Sequence, residues 1–207
     1  MFVDETSAYV GQSREYGWAS SDERVYDSRP KGKKARVSLV AATSLDGAMV
    51  EQALVITDTV NQNAFLCFLD TTLLPTLAKG SIVVMDNWTV HRLGRNAQYC
   101  GCPHSEEVSG LVERFGCELM YLPTYSPDFV LDKTAPVLAL KQHLSGLAAP
   151  GPVRNPIEHL FAKVKAFVKS LRPDTADKLV EAFCNAVKSI TSENVYNSFR
   201  HCGYQAG

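Results

Sequence analysis

Apolar and polar positions divide the chain into short segments with distinct periods. "MFVDE" reads as a strand whose apolar residues stop at Asp4, and a polar loop follows through about Lys34. "RVSLVAATS" has a nearly continuous apolar centre, as a buried strand does, and "GAMVEQALVI" reads as the next strand after the turn "SLDG". In "QNAFLCFLDTTLLPTL" the apolar residues Phe65, Phe68, Leu69 and Leu73 recur at helical spacing, with Pro75 near the end. Ile82 to Met85 form a compact apolar run bounded by Gly80 and Asp86, which predicts a buried strand. "SEEVSGLVERFG" predicts a helix with Ser105 as cap and Gly116 as terminator, and "CELMYLP" another strand. From Asn155 onward the period predicts two helices and room for a short third.

The first of these closing helices carries one apolar stripe: Ile157, Leu160, Phe161, Val164, Phe167, Val168 and Leu171. Glu158, Ala162, Lys165 and Lys169 lie along its flank. Three strands, a helix, a strand, a helix, a strand and then helices imply an α/β fold with one mixed five-stranded sheet and flanking helices. The opening strands suit antiparallel hairpins. The later ones suit parallel crossovers, which need a helix between strands. Residues 130–154, "VLDKTAPVLALKQHLSGLAAPGPVR", are rich in Ala, Leu and Pro and suit neither strand nor helix.

A length of 207 residues fits one domain with insertions, and 45% hydrophobic with 21% charged residues fits a globular chain. No apolar run reaches membrane-spanning length, and "MFVDETS" lacks the basic and apolar regions of a signal peptide. Six scattered cysteines suggest reduced thiols in an intracellular protein. The net charge of −1 argues against a strongly basic nucleic-acid binder, but the charge is uneven. Residues 1–30 carry six acids against three arginines, whereas "KGKKAR" places Lys31, Lys33, Lys34 and Arg36 together. Such a run is either solvated surface or a phosphate-binding patch.

Candidate chemistry centres on carboxylates. Asp4 and Asp86 each follow an apolar strand, where α/β folds build sites. In "RNPIEHLF", Asn155 suits the N-cap, Pro156 the first helical position and Glu158 the third, where it can reach back to the cap amide. Glu158 can equally face a metal. Three carboxylates in one place repel one another unless a cation lies among them, and all-oxygen ligands suit Mg²⁺ or Mn²⁺. Phosphate-binding G-x-x-x-x-G-K-[ST], G-x-S-x-G and H-E-x-x-H motifs are absent from the sequence. "CGCPH" offers Cys100, Cys102 and His104 to zinc but lacks the usual second pair.

"FVDETS", "VVMDNWTVHR", "LMYLPTYSPDF" and "NPIEHLFAKVK", together with the closing "FRHCGY", resemble the catalytic domain of mariner-type DDE transposases over nearly the whole chain. The resemblance implies a ribonuclease-H-like fold, with Asp4, Asp86 and Glu158 as catalytic residues that bind two Mg²⁺ ions, Mn²⁺ being an alternative. It implies a metal-dependent endonuclease and strand-transfer domain acting on transposon ends and target DNA. Asn87 and His91 would lie near the site, and Lys31, Lys33, Lys34, Arg36, Lys165 and Lys169 would contact DNA. It leaves a homodimer open, places no part in a membrane, and puts the protein in the nucleus if its source is eukaryotic. The alternative is a catalytically inactive, transposase-derived DNA-binding remnant.

Two departures stand out. "SPDF" usually runs directly into "NPIE" in the family, yet twenty-five residues, 130–154, separate Phe129 from Asn155 here. The 71 residues between Asp86 and Glu158 are about twice the usual spacing. Residues 130–154 therefore read as a foreign insertion in a single domain spanning 1–207. The chain also begins at the first strand, without the family's helix-turn-helix DNA-binding region.

Overall fold

In a computed structural model, residues 1–14, 19–22, 24, 26, 35–45, 52–86, 108–122 and 155–204 are described. Five strands make one mixed sheet: β1 (Phe2–Tyr9), β2 (Arg36–Thr43), β3 (Ala53–Thr57), β4 (Ile82–Met85) and β5 (Glu118–Tyr121). Their order is β3-β2-β1-β4-β5. The first three pair antiparallel, while β1–β4 and β4–β5 pair parallel, as the helical crossovers expected from the sequence require.

One strand is longer than its apolar residues suggested. β1 does not stop at Asp4 but continues to Tyr9, because β2 offers it a full ladder from Phe2↔Thr43 to Tyr9↔Arg36. Past Val3 the inward positions are taken by Thr6 and Ala8, small residues that an apolar count overlooks.

Alternation divides the sheet into two faces. Phe2, Ala8, Val37, Leu39 and Val84 join one core with the three closing helices. These are α3 (Pro156–Leu171), α4 (Ala176–Lys188) and α5 (Ser192–His201). Val3, Val40, Val83 and Met85 face the other core, covered by α1 (Gln62–Phe68) and α2 (Val108–Arg114). Each face thus has a helical layer, the arrangement that buries both sides of a mixed sheet.

The closing helices depart from expectation in two respects. The third is a full helix of ten residues, capped by Thr191 through Asn194 N–H at 3.2 Å and anchored by Val195 and Phe199. Leu171, counted in the apolar stripe, is 53% exposed, because α3 ends there and Arg172 turns the backbone left-handed at φ 49°. Ile157, Leu160, Phe161, Val164 and Val168 are buried as the stripe requires.

The helix expected across "QNAFLCFLDTTLLPTL" also divides. α1 holds only to Phe68, Leu69–Leu73 widens to a π turn, and Leu74–Thr76 tightens to 3-10. The Thr71 hydroxyl donates to the Cys67 carbonyl at 2.7 Å, and Pro75 has no N–H to continue an α ladder. Gly116, at φ 72°, closes α2 as expected. The four described cysteines, Cys67, Cys117, Cys184 and Cys202, are free thiols. Among the described residues no helix is long and apolar enough to cross a membrane.

Candidate active site

The pairing of β1 with β4 covers two steps, Phe2↔Val84 and Val3↔Met85. One residue further, Asp4 stands beside Asp86 across two parallel strands. Phe2 and Val84 both face the α3–α5 core, and side chains two residues on return to the same face. Both carboxylates therefore leave the sheet on the side where α3 begins, and both line one cleft.

The start of α3 is tied to this point. Asn155 is buried and caps the helix, its Oδ1 accepting from Ile157 N–H at 3.3 Å. Its Nδ2 donates to Asp4 Oδ2 at 3.4 Å. One amide side chain thus closes the helix cap and touches the first aspartate. Glu158 lies on the first turn, exposed, with its N–H on the Asn155 carbonyl at 3.2 Å.

Asp4 is electrostatically strained. Burial, most of all, pushes its carboxyl up to about 7; the Glu5 charge adds to this, and Asp86 and Glu158 contribute smaller repulsions. The Glu5 N–H donates to Asp4 Oδ1 at 2.7 Å and opposes the rise. Such a group holds its charge readily only when a cation neutralises it. Among the described residues, no three His, Cys, Asp or Glu side chains are gathered tightly enough to hold a metal ion.

The cleft measures about 330 Å³. Beyond the two aspartates it runs past Glu5, Ser7 and Ser38 to Arg36 and Thr59, and Lys165 of α3 also lines it. The family model described as the DDE superfamily endonuclease matches residues 1–135. The chain belongs to this family.

The DDE domain has the mixed α/β, ribonuclease-H-like fold of two solved transposase structures. One is the Mos1 mariner paired-end complex with Mn: TM-score 0.59, 16% identity, covering 98% of this chain and 52% of that one. The other is the Mos1 transposase paired-end complex with the left transposon end: TM-score 0.57, 14% identity, covering 98% of this chain and 51% of that one. The chain spans about half the length of each. No curated protein matches the sequence.

Of the acids expected in this DDE domain, Asp4 and Asp86 fall within the matched residues, and the match ends at residue 135, inside the segment 130–154. Asp4 and Asp86 come together in the cleft; Glu158 acts on Asp4 through its charge but does not line the cleft. Lys165 lines it, whereas Lys169, one turn on, is half-buried outside it. Lys31, Lys33, Lys34, Asn87, His91, Cys100, Cys102, His104 and the segment 130–154 lie outside the described residues.

Two features escaped the sequence reading. Asn155 was expected only as a helix cap, and its bond to Asp4 bridges 151 positions with no local signature. Ser7, Ser38 and Thr59 line the cleft but read in sequence as ordinary strand and turn residues.

Proposed function

We propose that this DDE domain cuts DNA at transposon ends and joins the freed 3′ end to target DNA. The observation that carries the reading is the placement of Asp4 and Asp86 on adjacent parallel strands, on the face where the helix bearing Glu158 begins. Membership of the endonuclease family and the Mos1 fold support it.

Asp4, Asp86 and Glu158 would hold two divalent cations, Mg²⁺ or Mn²⁺. The donor chemistry fits: it is all oxygen, and it includes a half-buried carboxylate crowded by other acids. When bound, the cations supply charge neutralisation at the attacking and leaving oxygens of an in-line displacement. Asn155 orients Asp4 and fixes the start of α3, so that Glu158 is delivered to the same sheet edge. Lys165 and Lys169, with Arg36 and the neighbouring Lys31, Lys33 and Lys34, bind DNA phosphates, and Asn87 and His91 flank the second aspartate. Water attacks the scissile phosphodiester and the 3′ oxygen leaves; the resulting 3′-hydroxyl then attacks a target phosphodiester, displacing its 3′ oxygen. No covalent protein–DNA bond forms at either step. In a eukaryote such a reaction belongs to the nucleus.

The segment 130–154 is read as an insertion foreign to the fold. The family match ends inside it, and α3 resumes directly after it with an intact cap. The same disruption favours the inactive remnant as the second reading. Mg²⁺-dependent nicking of DNA by the full chain separates the two. The active reading expects nicking that falls about 10³-fold or more in Asp86→Ala, the loss of several kcal/mol of charge stabilisation. A chain whose background nicking is the same with and without Asp86 is the remnant.

A further inference from the structure

The closing motif "FRHCGY" forms the end of α5 and the turn after it, and the reaction proposed above gives it no part. Its aromatic residues lean on β1. The Phe199 ring meets Phe2 edge-on at 5.5 Å between centroids, and the Tyr204 ring lies 5.2 Å from that of Phe2. Phe2 stands two residues before Asp4, on the same sheet face. α5 also reaches the first turn of α3. The Ser198 hydroxyl donates to the Pro156 carbonyl across 42 positions, and both residues are buried. The His201 ring meets His159 edge-on, 4.6 Å between centroids. These contacts fall two residues before Glu158 and one after it. One helix thus touches both the strand that carries Asp4 and the turn that carries Glu158.

The Ser198 bond differs in kind from the packing around it. Apolar contacts such as those of Val195 and Phe199 resist separation but have no preferred direction. A hydrogen bond has a narrow angular range, so it also fixes how the two helices are turned against each other. Pro156 is the first residue of α3, and its carbonyl has two lone pairs, of which the helix ladder needs one. Ser198 can use the second without breaking the ladder. Asn155 ties the same turn to Asp4 from the strand side. The start of α3 is therefore held at two polar points, one from β1 and one from α5.

We infer that Ser198 is a positioning residue: from α5 it sets how the first turn of α3 presents Glu158 to Asp4 and Asp86. The inference rests on the reading that the three acids act together, and it adds the element that places the third. Phe199 and Tyr204 seat α5 on β1, and Ser198 carries that seating across to α3. Removing the hydroxyl spares the fold, because Pro156 keeps its ladder partner and no buried carbonyl is left unpaired.

The test compares Ser198→Ala with wild type in the full chain, by amide hydrogen exchange without metal and by DNA nicking at graded Mg²⁺. Exchange in peptides covering residues 157–162 is expected to rise about fivefold, the loss of one net hydrogen bond, while α4 stays as in wild type. The rate of nicking is expected to fall about 10–100-fold and half-maximal nicking to need more Mg²⁺, with KM for DNA unchanged. Val195→Ala is the control, since it trims an apolar contact of the same helix and keeps the hydroxyl. It should lower the melting temperature at least as much and leave nicking near wild type. Should Ser198→Ala melt early, Ser198→Cys, which fills the site with a poor donor, carries the same readouts. Unchanged exchange at the start of α3 overturns the inference, as does a rise spread equally over α4, or a loss of nicking in both variants that merely follows their melting temperatures. The DNA-cutting reading fails separately, on a wild-type chain without Mg²⁺-dependent nicking. In that case Mg²⁺ must still stabilise wild type more than Ser198→Ala in thermal melts for Ser198 to keep its role, and equal stabilisation overturns it.

Discussion

Asp4→Asn tests the acidic edge through stability, independently of any DNA. Without a cation, burial, with the Glu5 charge beside it, pushes the Asp4 carboxyl up to about 7 from the ordinary 3.8. The folded state therefore holds a proton that the unfolded chain has already released. The resulting stability is complete below the unfolded value and is lost as pH rises through the folded one, a window from about 4 to 7. Between about pH 5 and about pH 8 the loss amounts to roughly 2–3 kcal/mol, or some 5–10 °C in melting temperature for a chain of this size. Asparagine cannot ionise, so the variant should escape this loss. The assay is thermal melting of wild type and Asp4→Asn in chelator at both pH values, which cancels the titration of the other carboxylates. Asp4→Asn should gain on wild type by that amount as pH rises. Adding Mg²⁺ at the higher pH should stabilise wild type and leave Asp4→Asn nearly unmoved. A difference between the two proteins that stays constant with pH would refute the electrostatic argument, and equal Mg²⁺ responses would refute Asp4 as a ligand.

Two further outcomes are expected. A variant lacking residues 130–154 should nick DNA with Mg²⁺ faster than the full chain, because the helix carrying Glu158 would be positioned by a short connection; displacements near 1 Å already cost about 10²-fold in rate. Equal or lower activity would show that the segment belongs to the protein. Phe183→Ala, emptying a fully buried position between α4 and the sheet, should cost about 3–5 kcal/mol in urea unfolding; a loss below about 1 kcal/mol would mean that the closing helices do not pack as described.

Much of this fold is legible because burial writes periods into the chain. Ile82 to Met85 is apolar at every position since both sheet faces are covered there, and Gly116 ends α2 where a left-handed turn is needed. Asn155 and Pro156 announced α3 through local chemistry alone. The extension of β1 was hidden because its ladder is a property of β2, and Thr6 and Ala8 are too small to mark an inward face. The break after α1 depends on one threonine hydroxyl and one proline among good helix formers. For the candidate site, Asp86 read as a strand-end residue and Glu158 as a first-turn residue, as they lie, whereas Asp4 read as a strand end although its strand runs on to Tyr9. Their companions were not legible. The Asn155 contact and the hydroxyl-lined cleft arise from tertiary packing, which gives Ser, Thr and Asn no pattern of their own.

The amide bridge from Asn155 to Asp4 also bears on when the site comes into being. It spans 151 positions, so it is among the most non-local contacts the chain makes. A nascent chain released only as far as β5 contains Asp4 and Asp86, yet it lacks the helix that bears Glu158. High contact order of this kind makes assembly slow and places it late. Loop closure grows so gently with length that the twenty-five residues of 130–154 add only about 0.2 kcal/mol to it. On the proposed function, competence to cut would thus be deferred until nearly the whole domain has been synthesised, and incomplete translation products would carry Asp4 and Asp86 without Glu158.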